Sequence, residues 1–354
     1  MPCQWKDKVF TITEEKFEEL ALVLFRFQYA NNDVYQQYVN ALQIRVENVQ
    51  SLPQIPFLPI RFFKTHPVQT TSFDPAIIFE SSGTTGIVNS RHFIKDTELY
   101  KESFIKGFEI FYGPVKDWCI IGLLPSYLEK QNSSLVYMVN ELIKQCGNNN
   151  SGFYLNEYEQ LFRLLTELEN KKQKTLLIGV TFGLLDFAEA YSSHFYKGLF
   201  NHTIVMETGG MKGRRREMIR QEVHDILKAA FEVPVIHSEY GMTELLSQAY
   251  SDGNGIFKCP PWMKILVRDE DDPLLMPYFG IGERMPYFNE TTLAKDSPKS
   301  MAYVGAINII DLANVYSCSF LATDDAGKNF PDGSFEVWGR IDNSDLRGCS
   351  LMVV

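Results

Sequence analysis

The 354-residue chain is 45% hydrophobic and 22% charged, which excludes intrinsic disorder and allows a core that buries roughly three quarters of the unfolded surface. Its net charge of −10 repels nucleic acid and anionic membrane surfaces, so neither is expected as a partner. No stretch reaches the ~20 consecutive apolar residues of a membrane span, and Met1-Pro2-Cys3-Gln4-Trp5-Lys6-Asp7 lacks the charged-then-apolar plan of a signal peptide, so a cytoplasmic protein is expected.

Along the chain, Thr11-Ile12-Thr13-Glu14 reads as a capping box opening a helix whose apolar face is Phe17, Leu20, Ala21, Leu24 and Phe25. Val34, Tyr38, Val39 and Leu42 repeat that spacing in a second helix. The proline-spaced connector Leu52 to Pro67 forbids regular helix and leads to the apolar run Ala76 to Phe79. Further extended runs follow at Cys119 to Leu124, Thr175 to Val180, Thr203 to Met206 and Val233 to Ile236. Between them lie helical patterns over Thr97 to Phe111, Ser133 to Gln145, Phe182 to Tyr191 and Arg214 to Phe231. Such alternation predicts an α/β fold, with parallel sheets flanked by helices and ligands at the carboxyl ends of the strands. From about Met263 the pattern changes to short strands, Lys264 to Arg268, Ala306 to Ile310 and Phe335 to Trp338, which predicts a small β-rich subdomain.

Four segments carry candidate chemistry. Ser81-Ser82-Gly83-Thr84-Thr85-Gly86 follows a predicted strand, and a turn of hydroxyls and glycines can wrap a phosphate with side-chain donors and converging backbone N–H groups. Ile87 and Val88 stand where a P-loop requires Lys, so a Walker-type kinase or GTPase is excluded; an ordinary polar loop stays open as the alternative. Downstream come Glu207-Thr208-Gly209-Gly210, then Ser238-Glu239-Tyr240-Gly241-Met242-Thr243-Glu244, then Thr323-Asp324-Asp325 with Gly339-Arg340-Ile341-Asp342. Glu244 offers the hard oxygen anion that suits Mg²⁺, or is simply a carboxylate at a helix start. Thr243 would donate to phosphate from the N-terminus of a helix over Glu244 to Ala249. Tyr240 stacks on a base or packs in the core. Asp325 is an acceptor for hydroxyl donors or a turn aspartate before Gly327. Arg340 either grips ribose or phosphate or pairs with Asp342 at the surface.

In this order the segments resemble those of the adenylate-forming superfamily of acyl-CoA synthetases, luciferases and adenylation domains. The resemblance implies that Ser81, Ser82, Gly83, Thr84, Thr85 and Gly86 hold the triphosphate of ATP. Gly209, Gly210, Tyr240, Gly241, Thr243 and Glu244 would hold adenine, phosphate and Mg²⁺, and Asp325 and Arg340 would hold the ribose. Within that superfamily, Asn31-Asn32-Asp33-Val34-Tyr35, Leu58-Pro59-Ile60 with Phe63-Lys64, and Leu346-Arg347-Gly348-Cys349-Ser350-Leu351 resemble the acyl-protein synthetase (LuxE) family of fatty-acid-activating enzymes. Membership implies one large adenylate-forming domain: a helical region to about residue 70, an α/β core from about 71 to 262, and a β-rich part with a hinge segment from about 263 to 354.

It also implies that a fatty or other aliphatic acid is converted to acyl-AMP and passed to Cys349, then to a partner acyl reductase. The alternatives are a CoA or acyl-carrier ligase without self-acylation and a non-catalytic nucleotide-binding module. A thiolate suits the acceptor role, because it is strongly nucleophilic and its thioester stays reactive. The six cysteines, Cys3, Cys119, Cys146, Cys259, Cys318 and Cys349, show no metal-ligand spacing, which fits a reducing compartment. Cys259 is the second thiol candidate. Leu124 to Lys130 with Ser133 to Leu135 is expected to border the acyl site, without the aspartate that holds an ammonium group in amino-acid-activating relatives, so a plain acid is expected.

Two departures stand out. Asp324 occupies the middle glycine of the T-G-D pattern, and the Pro-Lys that often follows the phosphate loop is missing, which leaves Arg91 or Lys95 to supply charge. The sequence given ends twelve residues after Asp342, where larger members of the superfamily continue into a mobile C-terminal lid of ~100 residues; either the sequence is cut there or it is the compact acyl-protein synthetase form, and the resemblance of Leu346 to Leu351 favours the second.

Overall fold

The computed structural model describes residues 3–81, 88–125, 131–155, 157–209, 218–269, 272, 274–276 and 302–341. Contacts divide the chain into two units, one built from residues 1–74 and 258–354 and the other from 75–257.

The first unit opens with helices α1 (Cys3–Phe10), α2 (Glu14–Asn31) and α3 (Asp33–Ala41), followed by strand β1 (Leu58–Pro59) and the short helix α4 (Phe62–Thr65). Helix α2 buries the apolar face expected of it. The capping box does not form: Thr13 occupies the N-cap, and the Thr11 hydroxyl donates instead to the Asp7 carbonyl at 2.7 Å, closing a helix that the sequence pattern does not announce. Asn32 caps α3 by accepting from the Tyr35 N–H at 3.0 Å, and the Tyr35 hydroxyl donates to the Pro56 carbonyl. The Asn31-to-Tyr35 motif therefore has a structural reason within this unit.

The second unit begins with the hairpin β2 (Ile77–Glu80) and β3 (Arg91–Ile94), then α5 (Thr97–Tyr112), β4 (Cys119–Leu123), α6 (Ser134–Cys146), β5 (Gly152–Phe153), α7 (Tyr158–Asn170), β6 (Thr175–Gly179) and α8 (Thr181–Tyr191). It continues with β7 (Thr203–Glu207), α9 (Arg220–Phe231), β8 (His237–Tyr240), β9 (Ala249–Ser251) and β10 (Ile256–Phe257). Its main sheet has the order β5-β4-β6-β7-β8-β9, parallel from β5 through β8 with β9 antiparallel at the edge. Strands β4 and β6 are buried at every residue, as sheets covered on both faces require. Leu161 and Leu165 of α7, Leu184 and Phe187 of α8, and Leu227 and Phe231 of α9 pack in one cluster with the strands.

Two expectations need correction here. The run Ala76 to Phe79 joins an antiparallel hairpin with β3 and not the parallel sheet, so residues 82–87 connect two antiparallel strands. The run Val233 to Ile236 is not the strand: α9 ends at a left-handed Glu232 (φ 51°), the next residues cross to the sheet, and pairing with β7 starts only at Met206↔His237. Within the predicted helix Arg214 to Phe231, residues 218 and 219 are not helical and the helix runs from Arg220; residues 214–217 lie outside the described residues.

From residue 258 the chain returns to the first unit with β11 (Met263–Arg268), β12 (Tyr303–Asp311), β13 (Phe320–Asn329) and β14 (Phe335–Arg340), an antiparallel meander. Strand β1 pairs in parallel with β13 through Leu58↔Leu321. The Arg268 guanidinium ties three strands together, donating to the Ile307 carbonyl at 3.0 Å, Asn308 Oδ1 at 2.6 Å and the Thr323 carbonyl at 2.7 Å. A register shift beside Gly327 brings the backbones so close that a side-chain carbon there would lie 2.1 Å from the Glu336 carbonyl, so only glycine fits.

Candidate active site

In the second unit the carboxyl end of β7 carries a buried charge. Glu207 lies opposite Ser238 in the β7/β8 ladder and accepts from the Ser238 hydroxyl at 2.8 Å on Oε1, and from the Gly209 N–H at 2.7 Å and the Thr181 hydroxyl at 3.2 Å on Oε2. Arg220 Nε at 3.3 Å and His224 Nε2 at 3.5 Å complete the cage. Burial alone would raise its pKa, yet His224, Arg220, Ser238 and the Gly209 N–H together hold it down to about 2. Glu207 is thus an anion at neutral pH, and it fixes the glycine turn through the Gly209 N–H. Gly209 has φ +74°, a left-handed backbone that favours glycine, and its carbonyl accepts from the Thr181 N–H at 2.8 Å. Gly210 lies outside the described residues.

The Tyr240-to-Glu244 segment leaves the end of the next strand, β8. A helix over Glu244 to Ala249 does not form. Residues 243 and 244 make a turn, closed by the Leu245 N–H on the Met242 carbonyl at 3.1 Å, and Ala249 already pairs with Tyr240 in β9. Every residue from 244 to 251 is buried, whereas a surface helix needs a wet face. The turn is docked onto the hairpin: the Thr243 carbonyl can only accept, so buried His92 of β3 donates to it from Nδ1 at 2.8 Å. Tyr240 is buried with its ring 5.8 Å from that of Phe257, and Arg220 lies over the other end of this packing, 4.9 Å from the Phe257 ring. Ser81 acts as a clasp at the base of the hairpin, its N–H donating to the Ser90 carbonyl and its Oγ accepting from the Ser90 N–H at 2.9 Å. Ser82, Gly83, Thr84, Thr85 and Gly86 lie outside the described residues.

Glu239, between Ser238 and Tyr240, has the opposite electrostatics to Glu207. Burial, with a smaller contribution from Glu207, pushes its pKa up to about 8. A carboxyl raised above its ordinary value of 4.5 favours folding below that pH and loses its contribution as the pH rises through 8. Glu239→Gln is therefore expected to flatten the fall in melting temperature of the wild-type protein between about pH 5 and 8, a slope on the order of 1 kcal/mol per pH unit. Differential scanning calorimetry checks this, and parallel wild-type and variant curves would contradict it.

Asp325 and Arg340 belong to the first unit, where they are register partners on β13 and β14. Thr323-Asp324-Asp325 lies within a strand and not in a loop or turn. Asp324 is absent from the residues with left-handed backbone, so this position does not need the glycine of the T-G-D pattern. Its carboxylate instead meets Arg61 Nε at 3.0 Å and its carbonyl accepts from the Ile341 N–H. Thr323 is buried, donating from its hydroxyl to the Ile307 carbonyl and accepting the Asp325 N–H at 3.1 Å.

Among the described residues no helix is long and apolar enough to cross a membrane, and no group of three or more His, Cys, Asp or Glu is placed to hold a metal. A single buried carboxylate ligand, as Glu244 would be, suits a Mg²⁺ that draws its other ligands from nucleotide phosphates and water. Burial raises the Cys119 thiol to about 11 and Cys318 to about 12, and pushes Cys259 well up too. Cys349 and Asp342 lie outside the described residues. Motif reading assigned no part to Glu207, Ser238, Arg220, His224 or His92. The available signal was a glutamate ending the apolar run Thr203 to Met206, where a buried charge demands partners.

No protein-family model matches the sequence, and no curated protein matches it. Solved structures do. One is 2-hydroxyisobutyryl-CoA ligase with 2-HIB-AMP and CoA in the thioesterification state, similar with a TM-score of 0.63 at 13% identity over 95% of this chain and 71% of that one. An open conformation of the same ligase with the same ligands gives 0.62 at 12% identity over 95% and 78%, and its postadenylation state with R3-HIB-AMP gives 0.62 at 11% over 95% and 70%. The chain has the fold shared by the larger part of these adenylate-forming ligases.

Proposed function

We propose that this protein is an ATP- and Mg²⁺-dependent acyl-protein synthetase, which converts a fatty or other aliphatic carboxylic acid to acyl-AMP and transfers the acyl group to Cys349 and then to a partner acyl reductase. The observation that carries the reading is the pair of loops leaving adjacent strands β7 and β8. The Gly209 turn is pinned by an ionised Glu207, and the Thr243–Glu244 turn is pinned by His92 of β3.

In the first half-reaction an oxygen of the substrate carboxylate attacks the α-phosphorus of ATP and pyrophosphate leaves. Thr243 and the backbone N–H groups of its turn would donate to phosphate oxygens, positioned by a scaffold that needs no reorganisation. Glu244 would hold Mg²⁺, which neutralises charge on the departing pyrophosphate. Tyr240 would face adenine, and Asp325 with Arg340 the ribose. In the second half-reaction the Cys349 thiolate attacks the acyl carbon, AMP leaves, and a thioester remains for transfer to the reductase. The raised thiols of Cys119, Cys259 and Cys318 make poor nucleophiles, which argues against Cys259, the second thiol candidate. Direct transfer to CoA is the second reading, supported by the CoA in two of the similar structures.

Cys349→Ser is expected to retain acyl-AMP formation and lose the hydroxylamine-labile acyl adduct. Intact-protein mass spectrometry after incubation with ATP, Mg²⁺ and a panel of acids measures both. An adduct that persists in Cys349→Ser, or acyl-CoA formed with no adduct at all, would point to the second reading.

A further inference from the structure

In the 75–257 unit one buried side chain joins two of the loop supports that the proposed reaction uses. His92 stands on β3 opposite Phe79 of β2, and residues directly opposite in an antiparallel pair share a face. Phe79 is buried on that face, its ring 5.6 Å from that of Tyr100 on α5 and 5.4 Å from that of Tyr137 on α6. His92 therefore projects from a hairpin seated on two helices. Beyond this pair come only Glu80↔Arg91 and the Ser81–Ser90 clasp, and then residues 82–87, read above as the triphosphate loop.

At the other end of the bond, Nδ1 of His92 donates at 2.8 Å to the Thr243 carbonyl, the oxygen of the peptide group that joins Thr243 to Glu244. That group is planar and trans, so holding its oxygen fixes the Glu244 N–H and Cα with it and turns the N–H away from His92. One hydrogen bond thus sets the plane from which both Thr243 and the buried Glu244 start. The bond spans 151 residues of sequence, so local turn chemistry does not require it; what it adds is a fixed separation between hairpin and turn. Ser103 of α5 meets Ser247 at 3.1 Å, a second tether to this segment but not to that peptide group.

We propose that His92 is a positioning residue for the nucleotide: it locks the hairpin that carries residues 82–87 to the turn that carries Thr243 and Glu244, so that both grip one Mg²⁺·ATP together. This rests on the function proposed above. In this role His92 acts through the Thr243 carbonyl and not on the nucleotide itself. Two supports held at a fixed separation are ordered before the ligand arrives, and a ligand gains from that order only if it reaches both. Mg²⁺·ATP reaches both through its triphosphate and metal, whereas adenosine has neither. Losing the bond therefore weakens Mg²⁺·ATP and spares adenosine, while loss of a merely structural bond would affect the two alike.

Titration calorimetry on the full chain, with no acid present and so no turnover, compares Mg²⁺·ATP with adenosine. His92→Phe and the smaller His92→Leu both remove the donor, so a folding failure of one leaves the other. Each is expected to weaken Mg²⁺·ATP about tenfold, the order of one buried hydrogen bond, and to leave adenosine within about twofold. His92→Asn returns a side-chain N–H donor and should recover most of the affinity. Ser103→Ala should lower the melting temperature without changing the ratio of the two affinities. Wild-type affinity for Mg²⁺·ATP in a folded His92→Phe or His92→Leu, a parallel loss of both ligands, no recovery in His92→Asn, or an equal loss in Ser103→Ala overturns the role. A wild-type protein that binds no Mg²⁺·ATP overturns it too, together with the proposed reaction. The expected pattern without acid-dependent pyrophosphate exchange supports His92 and sinks the reaction alone, and wild-type exchange with unchanged binding in the variants does the reverse.

Discussion

Replacing Glu207 with alanine is expected to cost about 3–5 kcal/mol of stability, because it breaks the ion pair between a buried carboxylate and Arg220 and leaves the hydrogen-bonding groups around it without their acceptor. Those groups are the Gly209 N–H, the Thr181 hydroxyl and the Ser238 hydroxyl. Urea denaturation measures the loss, and a change under about 1 kcal/mol would mean that solvent reaches the cage and screens it. Glu207→Gln separates charge from shape. The native carboxyl has a pKa of about 2 against an ordinary 4.5, so its contribution is present above about pH 5 and lost as the pH falls toward 2. Acid unfolding of Glu207→Gln should therefore lack that part of the wild-type pH dependence.

Glu244→Ala is expected to lower acid-dependent pyrophosphate exchange by on the order of 100-fold or more, the effect of removing a few kcal/mol of transition-state stabilisation from the metal. Glu244 is buried in a turn anchored through Thr243 and His92, so the melting temperature must be followed alongside. A folded variant whose rate still depends on Mg²⁺ with the wild-type affinity would remove the metal from this residue's role.

The sequence made the frame legible where burial follows a simple period. Strands β4, β6 and β7 stand out because doubly covered parallel strands are continuous apolar runs, and α2 stands out because one of its faces is wet. The Glu244-to-Ala249 stretch was misread for the same reason: all its residues are buried, and burial on every side erases the period that distinguishes helix from extended chain. β13 escaped because Thr323-Asp324-Asp325 looks like turn chemistry, yet Asp324 is held in extended backbone by Arg61 and by pairing with its neighbours. The site motifs were visible as loops after strands, but not what fixes them. Glu207 draws its partners from Thr181, Arg220, His224 and Ser238, positions that only the parallel β7/β8 pairing and the packing of α8 and α9 bring together.

The central claim is that this chain couples a carboxylic acid to ATP with release of pyrophosphate. Exchange of labelled pyrophosphate into ATP, measured across a panel of acids with and without Mg²⁺, tests it most directly. The expected result is exchange that requires both an acid and Mg²⁺ and falls in Glu244→Ala. Binding of ATP with no acid-dependent exchange across the panel would contradict the account and leave a nucleotide-binding module in its place.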